Sequence, residues 1–182
     1  MNSHVVISST GHRRIGIARG WLESRTAAEE VLIVGATLDA ANELARKVAR
    51  KKGAAFGWHR LTLPQLAFAV AAPILAARGL TPLSRIGAGA LVARLVHRMN
   101  TEGRLRRYQS VATTPGFPRA VAGVITELRL ARISLDAIGA CAPDLEPLVS
   151  AYEVELKEAG LTDWPGVLAL ATETASAVSA VD

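Results

Sequence analysis

Cysteine and aromatic residues are scarce in this 182-residue sequence, and each scarcity excludes a class of protein. The single cysteine, Cys141, rules out an internal disulfide framework and a zinc knuckle, and we expect it to be a small buried or half-buried apolar residue. The four histidines have no metal-ligand spacing, so we predict no metal site. Aromatic residues make up 4% of the chain while Ala, Leu and Val are abundant, which favours helices.

Long apolar runs are also missing. The N-terminus has no apolar core of the kind a signal peptide needs. The most apolar stretch, residues 63–80, contains Pro64 and Pro73 and is too short and too broken for a transmembrane span. We therefore expect a cytoplasmic protein with no membrane partner.

Basic residues are in excess. Twenty-one Lys and Arg against 16 Asp and Glu give a net charge of +5, and the sequence pI is about 10.0. This excess permits nucleic acid or another anionic partner, but an arginine-rich, alanine-rich chain can also be basic without binding anything. The basic residues cluster at 46–52 and at 104–107. Arginine beside an aromatic side chain can contact single-stranded nucleic acid by charge and stacking; otherwise such runs are solvated faces. The candidate DNA contacts in the second run are Arg104, Arg106, Arg107 and Tyr108.

The first third of the chain alternates apolar runs with helical periods. Residues 5–7 indicate a strand that leads through a polar turn into a helix. Residues 31–34 indicate a strand buried on both faces, residues 38–52 a helix closed by Gly53, and residues 54–63 a third strand. This alternation predicts a parallel sheet and an α/β fold.

The rest of the chain has helical patterns. Ser84 and Ser134 are expected to cap helices, and a last helix should begin near Asp163. Catalytic patterns are weak, because the aspartates lie in capping contexts and the glutamates of residues 153–158 indicate a solvated helix face. We therefore predict no catalytic residue in this chain.

The first turn has the outline of a phosphate-binding loop without its functional residues. A nucleotide-binding chain would carry G-x-x-x-x-G-K-[ST] here. If Gly11 is the second glycine, Val6 stands in place of the first, and His12 and Arg13 replace the lysine and the Ser/Thr. A helix N-terminus with flanking cations could still hold an anion, and the alternative is a plain turn with solvated arginines. The candidate loop comprises Thr10, Gly11, His12, Arg13 and Arg14.

This loop lacks the lysine that neutralises phosphate charge and the hydroxyl that binds Mg²⁺. We therefore predict that the chain does not hydrolyse ATP and needs no cofactor. A second candidate loop is residues 35–37, which would lie at the carboxyl end of a strand, beside the first loop. The Thr37 hydroxyl could cap the following helix or bind a phosphate, and the two roles are compatible.

The order of these segments resembles a known family. Residues 31–49 and 60–75 resemble the second and third strands, with their helices, of UvrD/Rep-type superfamily 1 helicases. Residues 117–138 and 143–171 resemble the helical insertion of the AddB/RecC-like subunits of ATP-dependent helicase–nucleases. The matching positions are Phe117, Ile125, Glu127, Leu128, Arg129, Ala131, Ile133, Leu135, Tyr152, Leu156, Asp163, Leu168 and Ala171.

The resemblance implies a RecA-like α/β part with a degenerate P-loop over residues 1–63, followed by a helical subdomain over residues 64–182. It implies a fragment of a longer, non-motor subunit in double-strand-break repair. Such a subunit binds a DNA single strand or duplex end, with Thr37 in contact with DNA, and works beside a helicase-like, AddA-like partner. Two alternatives stay open: an active helicase–nuclease subunit that uses ATP and Mg²⁺ through a non-standard loop, and a scaffold that only docks the partner.

Overall fold

The computed structural model describes residues 4–26, 28–53 and 56–179 of the chain. Helix accounts for 65% and strand for 8% of the structure. The chain divides into two compact units, Met1–Leu66 and Ala67–Asp182, which we call the first unit and the second unit. Each has apolar core residues of its own.

The first unit is built around one helix that packs on two strands. Its elements are α1 Gly11–Glu23, β1 Val31–Gly35, α2 Leu38–Lys52 and β2 Trp58–Thr62. The two strands are parallel and in register from Val31 opposite Trp58 to Gly35 opposite Thr62. The buried core of this unit consists of Leu22, Val31, Ile33, Ala41, Ala45, Val48 and Trp58.

A glycine allows α2 to approach β1 closely. A Cβ atom at Gly35 would lie 2.7 Å from the Thr37 carbonyl oxygen and 3.1 Å from the Cβ of Ala41. Real side chains do not tolerate the first distance, so a larger residue would push α2 away from the strand. At the other end of the helix, Gly53 adopts a φ of 92°, as expected for a glycine that closes a helix.

The prediction of an α/β fold with a RecA-like parallel sheet at the N-terminus is wrong. Among the described residues, strands occur only as two short two-stranded parallel sheets, and residues 4–10 contain no strand. Val5 is 86% and Ile7 92% exposed, so the expected first strand has neither a pairing partner nor a core to face. A short apolar run becomes a strand only where a neighbouring strand accepts its backbone hydrogen bonds, and none does so in this part of the chain.

Burial of β1 also differs from the expectation. Val31 and Ile33 face α2 and are buried, whereas Leu32 is 47% and Val34 44% exposed. The strand therefore has one covered face and one open face. A continuous apolar run does not reveal this difference, because the side chains of both faces are apolar.

The second unit is helical apart from two short bridging strands. Its elements, with α3 starting just before the unit boundary, are α3 Leu63–Ala77, β3 Thr81–Pro82, α4 Arg85–Thr101, a 3-10 turn Arg106–Tyr108, α5 Gly116–Leu130, α6 Leu135–Cys141, α7 Glu146–Glu158, β4 Leu161–Thr162 and α8 Trp164–Ser179. Strands β3 and β4 are parallel and pair over two residues each.

The expected helix caps of this unit are confirmed. The Ser84 hydroxyl accepts a hydrogen bond from the Gly87 amide at 3.0 Å, and the Ser134 hydroxyl accepts one from the Ala137 amide at 3.3 Å. Each bond satisfies an amide that the first turn of a helix leaves without a partner. Cys141, in contrast, is exposed rather than buried. No helix in the described ranges is long and apolar enough to cross a membrane.

The main apolar core of the second unit lies among α4, α5, α6 and α7, and a smaller cluster joins α3 to α8. The side chains that are almost completely buried in the main core are those of Val92, Leu95, Val96, Met99, Leu105, Ile125, Leu148 and Val149. Burial of this apolar area is the main stabilising contribution to the unit.

A buried ion pair links α5 to the start of α8. The Arg129 Nε lies 2.9 Å from Asp163 Oδ2, and its Nη2 lies 3.3 Å from Oδ1, which makes the pair bidentate. Asp163 is only 3% exposed and also accepts hydrogen bonds from the Tyr152 hydroxyl at 3.3 Å and the Gly166 amide at 3.0 Å. The expected cap at Asp163 is therefore present, but the same carboxylate is also an ionic contact between helices.

Two of the three glutamates that the sequence indicated as a solvated face of α7 form ion pairs instead, and only Glu158 is exposed as expected. Glu153 accepts a hydrogen bond from Arg129 Nη1 at 2.5 Å. Glu155 pairs with Arg94 and Arg98 of α4 at 2.5 and 2.7 Å. Hydrogen bonding from Arg98, with further attraction from Arg94, lowers the pKa of the Glu155 carboxyl. These pairs cross from one helix to another, and helical periodicity within one segment does not reveal them.

Removal of the buried carboxylate should destabilise the second unit. Asp163→Ala leaves Arg129 partly buried without its partner and leaves the first turn of α8 without a cap. We expect a loss of about 3–5 kcal/mol in the free energy of unfolding, measured by urea denaturation. The exposed Glu158→Ala on the adjacent helix is the matched control and should change stability by less than about 0.5 kcal/mol. Equal losses in the two variants would contradict the role given to Asp163.

Glu155 should make stability depend on pH in the acid range. Because its folded pKa lies below the ordinary value of 4.5, the folded chain binds fewer protons than the unfolded chain in this window. Its contribution is therefore complete above pH 4.5 and is lost as the pH falls through the folded pKa. We expect Glu155→Gln to be less stable than the wild type at pH 7 and the difference to shrink below pH 4.5, as measured by denaturation at a series of pH values. A difference that stays constant with pH would contradict this.

Candidate nucleic-acid interface

The candidate phosphate loop forms the start of α1. Thr10 is the residue that precedes the helix, and its side chain does not cap it. The Arg14 guanidinium donates a hydrogen bond to the Ser8 carbonyl, so it folds back over the turn. A Cβ at Gly11 would meet nothing closer than the Arg14 Nη2 at 3.8 Å, so no close approach requires a glycine here. His12, with Arg13 and Arg14, is exposed at this helix N-terminus.

Thr37 caps α2. Its hydroxyl oxygen accepts a hydrogen bond from the Ala40 amide at 3.1 Å, and its backbone is extended, as at other helix N-caps. The expected cap is confirmed. The hydroxyl is exposed, and contact with a phosphate stays a prediction.

The three arginines of the second basic run all lie close to carboxylates. Arg104 pairs with Glu102 at 3.0 Å. Arg106 and Arg107 share Asp144, at 3.6 and 3.0 Å. These carboxylates reduce the positive potential that the sequence run alone would suggest.

Tyr108 lies beside these arginines. The Arg107 guanidinium donates a hydrogen bond to the Tyr108 hydroxyl at 3.1 Å and lies 5.1 Å from the centre of its ring. The ring also contacts Phe117 at a centroid distance of 5.5 Å. The structure thus brings Arg107 and the aromatic ring together, but the ring is half-buried and already has two contacts.

The net positive charge of the protein lies on the first unit. Residues 1–66 carry ten Lys and Arg against five Asp and Glu, a net charge of +5. Residues 67–182 carry eleven of each and are neutral. Long-range attraction of a polyanion depends on such an excess, so it favours the first unit over the second.

A row of cations on α2 provides much of this excess. Five side chains, all exposed, follow one another along the second half of the helix, and we call them the α2 cation row: Arg46, Lys47, Arg50, Lys51 and Lys52. The sequence run at 46–52 indicated a solvated or nucleic-acid-binding face, and its exposure is confirmed.

Two carboxylates contact this row. Glu43 lies 2.8 Å from Arg46 and 3.5 Å from Lys47, and Glu23 of α1 lies 2.6 Å from Lys51. The hydrogen bond from Lys51 lowers the pKa of the Glu23 carboxyl. Five cations against two carboxylates leave the row strongly positive, unlike the run at 104–107.

A cavity of about 420 Å³ opens beside the row. Its lining consists of Asn42, Ala45, Arg46, Ala49, Phe56, Gly57, Trp58 and Arg60. Apart from Arg46, these residues were not predicted as site residues. The sequence signal that could have identified these lining residues is the pair Phe56 and Trp58, close to Arg60. The sequence indicated the run 56–60 only as part of a strand.

Neither the scan of protein-family models nor the search of curated proteins found a match to this chain.

Replacement of Thr37 tests the cap role of its hydroxyl. Thr37→Ala removes the α2 cap and should cost about 1 kcal/mol in the free energy of unfolding, whereas Thr37→Ser keeps the hydroxyl and should cost far less. Urea denaturation of both variants measures this difference. Equal stability of the two variants would contradict the cap as the main role of the hydroxyl.

Proposed function

We propose that this chain is a non-motor, DNA-binding part of a helicase–nuclease complex for double-strand-break repair, acting in the cytoplasm. The first unit contacts single-stranded DNA through the α2 cation row. The observation that supports this contact is the uneven distribution of charge, with a net charge of +5 on residues 1–66 and of zero on residues 67–182.

The geometry of α2 suits a flexible polyanion. Its apolar side, with Ala41, Ala45 and Val48, is buried in the core of the unit, and the side chains of the cation row are exposed. Arg50 forms no ion pair within the described residues, so its charge is available to a phosphate. A row of cations on one rigid helix can follow the phosphates of a strand without reading its bases.

The biological setting comes from the sequence resemblance to AddB/RecC-like subunits. In that setting a helicase-like, AddA-like partner supplies the motor, and this chain holds DNA. The run at 104–108 is a second, weaker contact in this proposal, because Glu102 and Asp144 oppose its arginines.

Salt dependence of binding tests the proposal. The probe is a fluorescein-labelled dT20 strand, and the measurement is fluorescence anisotropy over a series of NaCl concentrations. For the double variant Lys47→Gln/Arg50→Gln, we expect the slope of log Kobs against log[NaCl] to become shallower by about 1.4, from two lost phosphate contacts. Arg104→Gln/Arg106→Gln should have a smaller effect.

The matched control is Arg78→Gln/Arg85→Gln, which removes two exposed arginines from the neutral unit. It should leave the slope unchanged. An equal loss in the control, or no salt-dependent binding by the wild-type chain, would refute the proposed DNA contact. Binding of ATP with Mg²⁺, measured by calorimetry, would instead favour the motor alternative.

A further inference from the structure

The cavity beside the α2 cation row is lined by a tryptophan indole, an exposed phenylalanine ring and two arginine side chains. Asn42, Arg46 and Ala49 approach it from α2, and Trp58 and Arg60 approach it from β2. Trp58 and Arg60 are two residues apart on the strand, so their side chains lie on the same face, toward α2. A volume of about 420 Å³ is in the range of small-ligand sites.

The indole of Trp58 has a donor without an acceptor. Trp58 is 8% exposed and lines the cavity, yet its buried Nε1 has no hydrogen-bond partner among the residues that the structure describes. An indole N–H can only donate, and an unpaired buried donor is costly. This nitrogen has almost no accessible surface, so a ligand in the cavity would meet other atoms of Trp58 rather than Nε1.

Phe56 supplies an exposed aromatic surface at the same cavity. Phe56 is 76% exposed, which is the largest exposed fraction among the described Phe and Trp side chains. Exposed aromatic rings are surfaces on which nucleic-acid bases stack, and every base can use them.

Two guanidinium groups complete the site. Arg60 is exposed and forms no ion pair in the described part of the chain. Arg46 is 2.8 Å from Glu43, but Glu43 also contacts Lys47 at 3.5 Å, so the local balance stays positive. Such a pair of arginines suits a phosphate, which accepts hydrogen bonds from guanidinium groups.

We propose that this cavity binds one nucleotide of a DNA single strand. The base stacks on Phe56, and the phosphate lies between Arg46 and Arg60. The inference rests on the proposed function, because the α2 cation row holds the neighbouring phosphates of the same strand.

Substitution of Phe56 tests the stacking contact. Phe56→Ala removes an exposed ring and should weaken binding of a dT10 strand by about 5- to 100-fold, as expected for one lost base stack. Arg60→Gln should also weaken binding and make the salt dependence shallower. Ile86→Ala, which removes an exposed apolar side chain from the neutral unit, is the control and should bind as the wild type does.

The Trp58 indole provides a readout that does not depend on affinity. The chain has three tryptophans, so ¹⁵N-indole labelling gives three N–H signals, and Trp58→Phe identifies the one from Trp58. Because Trp58 lines the cavity, we expect its signal to shift with dT10 and the signals of Trp21 and Trp164 to move much less. In Phe56→Ala and Arg60→Gln the shift should require more dT10.

The outcomes separate this inference from the proposed function. Salt-dependent dT10 binding with an unmoved Trp58 signal and a wild-type affinity of Phe56→Ala would overturn the cavity site and leave the α2 cation row. Absence of dT10 binding would overturn both proposals. In that case a titration with dTMP decides whether the cavity takes a free nucleotide, and a shift with dTMP alone would assign it to free nucleotides rather than to a strand.

Discussion

The first unit depends on the packing of α2 against β1 and β2. A two-stranded sheet is marginal by itself, so most of the stability must come from apolar contacts with the helix. Val48 is completely buried at the centre of this contact, and Gly35 lets the start of the helix approach the strand end. The same packing positions the cation row on the exposed surface of α2, and it positions the cavity wall, because the core residues Ala45 and Trp58 also line the cavity.

The two units use arginine in different ways. In the second unit arginines hold helices together: Arg129 joins Asp163 and Glu153, and Arg94 and Arg98 share Glu155. Each of these cations has a carboxylate partner, and the net charge of the unit is zero. In the first unit cations outnumber the carboxylates they contact, and their charge extends into solvent. The total net charge of +5 for the whole sequence does not reveal this difference between the two units.

Local signals in the sequence predicted local structure well. The cap at Ser84, the cap at Thr37 and the glycine that closes α2 follow from hydrogen bonds within a few residues, and the structure contains them. The predicted RecA-like sheet failed because residues 5–7 need a neighbouring strand, which a local apolar run cannot guarantee. The cross-helix pairs of Glu153 and Glu155 were missed for the same reason, since their partners lie 24 and more residues away.

The candidate site was also predicted only in part. The α2 cation row was visible as a basic run, but the cavity requires the pairing of β2 with β1 and the packing of α2, which bring Arg46 next to Trp58 and Arg60. Sequence reasoning directed attention to the carboxyl end of a strand, at residues 35–37, where ligands of parallel sheets usually bind. Trp58 begins β2, so the cavity lies toward the opposite end of this sheet.

The helix dipole explains the position of some cations of the first unit but not of others. Arg50, Lys51 and Lys52 occupy the last turn of α2, where positive charge stabilises any helix by its interaction with the helix dipole. Their presence therefore has a structural explanation that needs no ligand. Arg46 lies a turn earlier and Arg60 lies on a strand, so the dipole explains neither of them. Because these two arginines border the cavity together with the exposed ring of Phe56, the argument for an anionic ligand is strongest there, and the last-turn cations extend that site rather than define it.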